Sequence, residues 1–168
     1  MKYLTLLLTI ALLACNTKVK PQENTEETVY FLIRHAEKDI TDPSDRDPAL
    51  TEEGTTRAKQ WAEILSKHNV DYVYSTDFIR TRETARPTAE NENIEIQLYD
   101  PGDIYSAEFL EKTKGKTTLI VGHSNSTPSL VNKIIGQNKY NELDESVYNK
   151  MYKIVISGDK IEDFELNY

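Results

Sequence analysis

The sequence predicts an α/β domain, a three-layer α/β/α sandwich around a mixed, mostly parallel sheet, and three observations predict it. Val29 to Ile33 and Leu119 to Val121 are short apolar runs with β-branched members, the pattern of strands buried on both faces. Stretches with a 3.6-residue apolar period lie between such runs, so strands alternate with helices. The chain closes on two further strand-like segments, 148–156 and 161–166, joined by Ser157-Gly158-Asp159-Lys160, which reads as a β-hairpin and makes the sheet mixed. With 168 residues, 38% of them hydrophobic and 29% charged, the composition suits one globular domain.

The N-terminus reads differently. Met1 to Ala14 has an early Lys2 and then an almost wholly apolar run from Leu4 to Leu13, the n-region and h-region of an export signal. A spanning helix needs about 20 apolar residues, so this segment is too short to be one. It ends Leu12-Leu13-Ala14-Cys15, which resembles the bacterial lipobox, and Cys15 is the single cysteine of the chain. That resemblance implies a mature protein beginning at Cys15, anchored to a membrane by lipid on its thiol. Asn16 in second position points to the outer membrane, with the domain facing the periplasm. Residues 15–28 are polar and aperiodic, a flexible tether before a domain over 29–168.

The elements follow in order. Val29-Tyr30-Phe31-Leu32-Ile33 is the first strand and ends in Arg34-His35. The next loop carries Asp39, Asp42, Asp45 and Asp47. It lacks the central glycine and the distal glutamate of a calcium loop and is expected to be solvated. Thr51 caps a helix with Glu52 and Glu53 in its first turn, and its apolar residues keep a helical period to about His68. Val70 to Ser75 is the second strand. A short helix over about 76–85 opens at its end, where Pro87 ends or kinks it. Ile94 to Leu98 is a short strand, Ser106 to Lys112 a brief helix, and 116–121 a strand ending in Gly122-His123. A helix over about 127–135 has Pro128 in its first turn and Gly136 at its close.

Three strand ends therefore carry Arg34-His35, Arg80 and His123, and ligands bind at that edge of an open α/β sheet. Arginines beside a histidine disfavour imidazolium, leaving His35 neutral and able to attack. The same guanidiniums bind a phosphate bidentately, and His123 can donate to its oxygens. The set suits in-line phosphoryl transfer to an imidazole nitrogen.

Taken together, LIRHAEK, LTEEGTTRA, STDFIRTRETA and IVGHSN resemble, in order, the motifs of the histidine phosphatase superfamily, the phosphoglycerate-mutase-like group with its small SixA-like members. The resemblance spans about 29–156 and implies a phosphomonoester hydrolase needing neither metal nor cofactor. His35 would be the phosphorylated nucleophile, with Arg34, Arg80 and His123 the phosphate pocket. Glu37 and Ser124, beside the histidines, complete the expected substrate-binding set. Asp100 is favoured as proton donor over Asp103 and Glu37. Ala36 stands where the family usually has glycine. The short stretch before Lys116 leaves a minimal cap and an open pocket.

Other classes fit less well. Gly122-His123-Ser124-Asn125-Ser126 imitates a hydrolase elbow but lacks its final glycine, and no histidine follows it in the chain. The three histidines show no metal-ligand spacing. A net charge of −8 argues against a nucleic-acid partner. The remaining alternative is a lipid-anchored protein that binds phosphorylated ligands without turning them over. The expected partner is a small phosphorylated substrate.

Overall fold

A computed structural model describes residues 26–168; the expected export signal, Cys15 and most of the expected tether lie outside the described residues. Six strands form one sheet in the order β3-β2-β4-β1-β5-β6. They are β1 (Thr28–Arg34), β2 (Tyr72–Ser75), β3 (Ile96–Leu98), β4 (Thr117–Gly122), β5 (Lys150–Ser157) and β6 (Lys160–Asn167). The pairs β3·β2, β2·β4 and β4·β1 are parallel, and β1·β5 and β5·β6 are antiparallel. The expected mixed sheet is present, with the terminal hairpin as its antiparallel part.

Strand alternation sends side chains to two cores, which is what makes the fold three-layered. Phe31 and Ile33 of β1, with Leu119 and Val121 of β4, pack against Trp61 and Leu65 of α1 (Glu52–Leu65) and Ala85 and Ala89 of α2 (Ile79–Glu92). Tyr30, Leu32 and Ile120 point to the other face. They meet Phe109 of α3 (Ala107–Thr113) and Leu130, Val131 and Ile134 of α4 (Ser126–Ile135).

Local signals explain most boundaries. Thr51 accepts from Gly54 N at 3.0 Å as the N-cap of α1, and Ser106 accepts from Phe109 N as the cap of α3. Gly136 closes α4 at φ 66°. Two expectations are corrected. Helix α1 stops at Leu65, and His68 lies beyond it with its ring 4.8 Å from that of Phe31. Helix α2 starts later than expected and runs through Pro87 to Glu92. A proline there removes one backbone donor and crowds the carbonyl of residue 83. Thr84, Ala85, Thr88 and Ala89 nevertheless keep a continuous buried face across it, so packing overrides the local break.

Candidate active site

Strand register builds the site. Arg34 lies opposite Gly122 in the parallel β1·β4 pair, so His35 and His123 leave the sheet side by side, and His35 N donates to Gly122 O at 2.9 Å. Ser75 lies opposite Val121, which places Thr76 on the other flank of His123. The imidazoles stand edge to face with centroids 5.5 Å apart. An open cleft of about 410 Å³ is lined by both histidines with Arg80, Lys38, Phe78, Ser124, Glu142 and Glu145.

His35 is 3% exposed, and its Nδ1 lies 2.7 Å from the carbonyl of Ala36. A carbonyl only accepts, so Nδ1 bears the hydrogen and Nε2 keeps a free lone pair. Burial is the largest influence on this ring. With the lesser push of Arg34, Arg80 and His123, it outweighs the Ala36 bond and lowers the pKa to about 3. The arginines were expected to be the main cause; they rank behind desolvation. His123 is lowered to about 4 for the same reasons, burial first, then Arg80, Arg34 and Lys38, opposed by Asp47.

The two arginines differ. Arg80, on the first turn of α2, lines the cleft; its guanidinium lies over the Phe78 ring at 4.3 Å, and Nη1 is 3.4 Å from Asp47. Arg34 is 1% exposed and does not line the cleft. Its Nη1 donates to the carbonyls of Asp144, Glu145 and Val147 at 3.0–3.2 Å, and its Nη2 pairs with Glu145 at 2.8 Å. The expected bidentate phosphate fork of Arg34 is thus corrected, because both terminal nitrogens hold the 144–147 loop. The Nε of each arginine is buried and has no acceptor among the described residues. Two buried cationic N–H groups left unpaired are costly, and an anion is what would satisfy them.

The other predicted residues separate. Ser124 lines the cleft, where its hydroxyl donates to Glu145 Oε1 at 2.8 Å. Glu37 is turned away and bound by Arg57, with Nε–Oε1 at 2.7 Å and Nη2–Oε1 at 2.6 Å, an ion pair that ties the end of β1 to α1. Asp100 accepts from Gly102 N in a turn; with Asp103 it lines a cavity against Tyr74 and Phe109, and with Thr76, Phe78 and Pro101 a groove that adjoins the histidine cleft without sharing its histidines. The three carboxylates considered as proton donors therefore lie outside the cleft that holds the histidines. Glu142 and Glu145 line it instead, from the irregular segment 136–149, which offers no periodic signal in the sequence. Among the described residues no helix is long and apolar enough to cross a membrane, and no group of three potential ligands could hold a metal ion.

This sheet order, with two imidazoles and an arginine at the C-terminal edge of its parallel strands, is the phosphoglycerate-mutase-like α/β architecture. Residues 30–101 match the family model of the histidine phosphatase superfamily, branch 1, the family whose motifs the sequence resembles. Phosphoserine phosphatase 1 of Hydrogenobacter thermophilus is 40% identical over 71 residues, 39% of this chain. That match spans about a third of the relative's length, 33%. Two solved structures share the fold at low identity. The protein histidine phosphatase SixA complexed with tungstate has a TM-score of 0.65 at 16% identity, covering 83% of this chain and 96% of that one. A mycobacterial glucosyl-3-phosphoglycerate phosphatase has a TM-score of 0.65 at 13% identity, covering 84% and 98%.

Proposed function

We propose that the domain is a phosphomonoester hydrolase working through a phosphohistidine on His35. The observation that carries the reading is the bare Nε2 of His35 in a cleft that is also lined by His123 and by the guanidinium of Arg80. Phosphate held by Arg80 sits in line with Nε2. The nitrogen bonds to phosphorus as the ester oxygen departs, and water then cleaves the N–P bond to release phosphate. The guanidinium stabilises charge on the equatorial oxygens, where an uncatalysed phosphomonoester reacts extremely slowly. By their names, the proteins reported above are a phosphoserine phosphatase, a protein histidine phosphatase and a glucosyl-3-phosphoglycerate phosphatase, all of which release a phosphoryl group to water, two of them from a phosphomonoester.

No step needs a metal or cofactor, so hydrolysis of p-nitrophenyl phosphate is expected to persist in EDTA and to vanish in His35→Ala. Mass spectrometry of the protein quenched during turnover is expected to find phosphate on His35; a label on another side chain overturns the mechanism. The rival reading, a binder without turnover, draws on one observation: the expected carboxylate donors lie outside the cleft. It requires that no phosphoester be hydrolysed at all.

We further propose export, lipid attachment at Cys15 and display from the outer membrane into the periplasm, on the strength of the N-terminal sequence. Substrates are then small phosphoesters of the cell envelope. Labelled palmitate should be incorporated by the full chain and not by Cys15→Ala.

A further inference from the structure

A chain of hydroxyl groups fixes the second histidine. Thr81 Oγ1 lies 2.9 Å from the carbonyl of Thr76 and 3.0 Å from that of Phe78, and donates its hydrogen there. Thr76 Oγ1 donates to Thr81 Oγ1 at 3.0 Å, which uses its hydrogen too. The 2.9 Å contact between Thr76 Oγ1 and His123 Nε2 must then be a donation from the ring. With the one hydrogen of Thr81 shared between its two carbonyls, a donation from Thr76 to the ring would leave the 3.0 Å contact between the two threonines without a hydrogen. Thr76 and Thr81 are fully buried, so water does not replace them. Among the described residues Nδ1 of His123 has no hydrogen-bond partner and is not buried, so it opens into the cleft that the ring lines. The two histidines are thus opposite tautomers, each showing the cleft a nitrogen without hydrogen.

A bare Nδ1 cannot donate to a phosphate dianion; it can accept a proton. No carboxylate in the cleft is better placed to move one. Glu145 is engaged by Ser124 and Arg34; although burial raises its pKa, those contacts outweigh it, and it stays an ionised acceptor. Glu142 sits exposed at the rim.

Resting on the phosphohistidine reading above, we propose that His123 is the general acid and base of the reaction, and that Thr76 is the residue that positions it by holding Nε2–H. A phosphomonoester monoanion passes its proton to His123 Nδ1 on binding. As His35 Nε2 bonds to phosphorus and the P–O ester bond breaks, Nδ1–H returns that proton to the leaving oxygen, so the alcohol departs neutral. His123 is then bare again. When water attacks, Nδ1 takes one of its protons as the new P–O bond forms and the N–P bond breaks, leaving HPO₄²⁻ and a protonated His123. The phosphate carries the proton away as H₂PO₄⁻.

The test compares kcat/KM on p-nitrophenyl phosphate, whose phenolate needs little protonation, with that on propyl phosphate, whose alkoxide needs it fully. In His123→Gln the loss on the alkyl ester is expected to exceed that on the aryl ester by about 10²-fold or more. Thr76→Val is expected to show the same asymmetry more weakly, with a shifted acid limb in its pH profile, and Thr76→Ser to restore both. Asp100→Asn is expected to keep the wild-type ratio. Equal losses on both esters in His123→Gln overturn the proposal, leaving His123 a binding group. A leaving-group-dependent loss in Asp100→Asn or Glu142→Gln overturns it as well, by giving the role to a carboxylate. Should Thr76→Val not fold, the ¹⁵N spectrum of the unsubstituted protein decides, since a protonated Nδ1 on neutral His123 refutes the tautomer. Full activity in His35→Ala would instead sink the phosphohistidine reading itself, a separate outcome.

Discussion

The ends of β1 and β4 look alike in sequence, an apolar run stopping at a histidine, yet they hold that histidine by different means. His35 is fixed by the carbonyl of Ala36, its own chain neighbour, while Ala36 N is in turn bonded to Thr84 Oγ1 at 2.9 Å. His123 is fixed by side chains, Thr76 and behind it Thr81, from across the sheet. Backbone fixation survives almost any substitution nearby, whereas hydroxyl fixation can be removed by one. The nucleophile's tautomer is therefore robust, and that of its partner is adjustable.

The largest effect that can break this contrast is on rate. His35→Ala is expected to lower kcat/KM by about 3 × 10⁴ to 2 × 10⁶, the range seen when one member of a covalent catalytic set is removed. His123→Ala is expected to lose only about 10² to 10³ on an aryl phosphate, as for the loss of one electrostatic contact. Equal losses at the two positions would erase the distinction between strand ends. The arginines extend the comparison. Arg34→Met removes a buried cation that holds three carbonyls and the exposed Glu145, so its main effect is on folding, about 1–3 kcal/mol in urea denaturation from carbonyls left without a donor. Arg80→Met, at the cleft, is expected to leave the unfolding midpoint nearly unchanged and to lower kcat/KM by about 10² to 10³.

Stability against pH sharpens the comparison further. Both rings are neutral in the fold, with pKa values lowered from 6.5 to about 3 and about 4, and both take up protons when unfolded. The unfolded chain then binds more protons below pH 6.5, so stability is full above that value and falls as the pH drops. The fall continues to about pH 4 for His123 and about pH 3 for His35. Each ring contributes roughly 1.4 kcal/mol per pH unit within its window. Urea unfolding between pH 7 and pH 4 should show this acid slope halved in either His→Asn variant, and an unchanged slope in His35→Asn would mean that the ring is not buried neutral.

Much of this was legible in the residues, and the failures have physical causes. Buried strands announce themselves because every residue is apolar, so β1 and β4, and with them His35 and His123, could be placed. Thr51 and Gly136 marked helix ends through backbone chemistry that is local. Pro87 misled because its local effect is to break helices, while the burial of Thr84 and Thr88 that carries α2 past it is tertiary. Arg34 and Arg80 are indistinguishable as letters. Only the return of the 144–147 loop, brought back to β1 by its pairing with β5, gives Arg34 its carbonyls. Asp100, favoured over Asp103 and Glu37, rests on a resemblance between its segment and the one that supplies the acid in the family, and a resemblance of segment carries no information about which way a side chain turns. Glu142 and Glu145 arrive from a segment with no period to read.

The smallest expected effects concern the glycines behind each strand end. A Cβ at Gly54 would come within 2.2 Å of the carbonyl oxygen of Glu37, two residues past His35. A Cβ at Gly122, directly before His123, would meet Thr127 Oγ1 at 2.8 Å, Ser126 Oγ at 2.9 Å and Tyr99 OH at 3.0 Å. The first obstacle is backbone and cannot turn aside; the second is three side-chain hydroxyls, which can shift at a smaller cost. Gly54→Ala should therefore lie near the upper end of the roughly 1–3 kcal/mol that overpacking costs, and Gly122→Ala near the lower end. At about 2–4 °C per kcal/mol for a domain of this size, thermal melts separate the two. Activity should rank them the other way. Ser126 Oγ accepts from His123 N at 3.0 Å, so rotating it to admit a methyl group disturbs the ring whose position rests on side chains. A Gly122→Ala protein that melts lower than Gly54→Ala yet keeps full activity would show that the end of β4 is as rigid as that of β1.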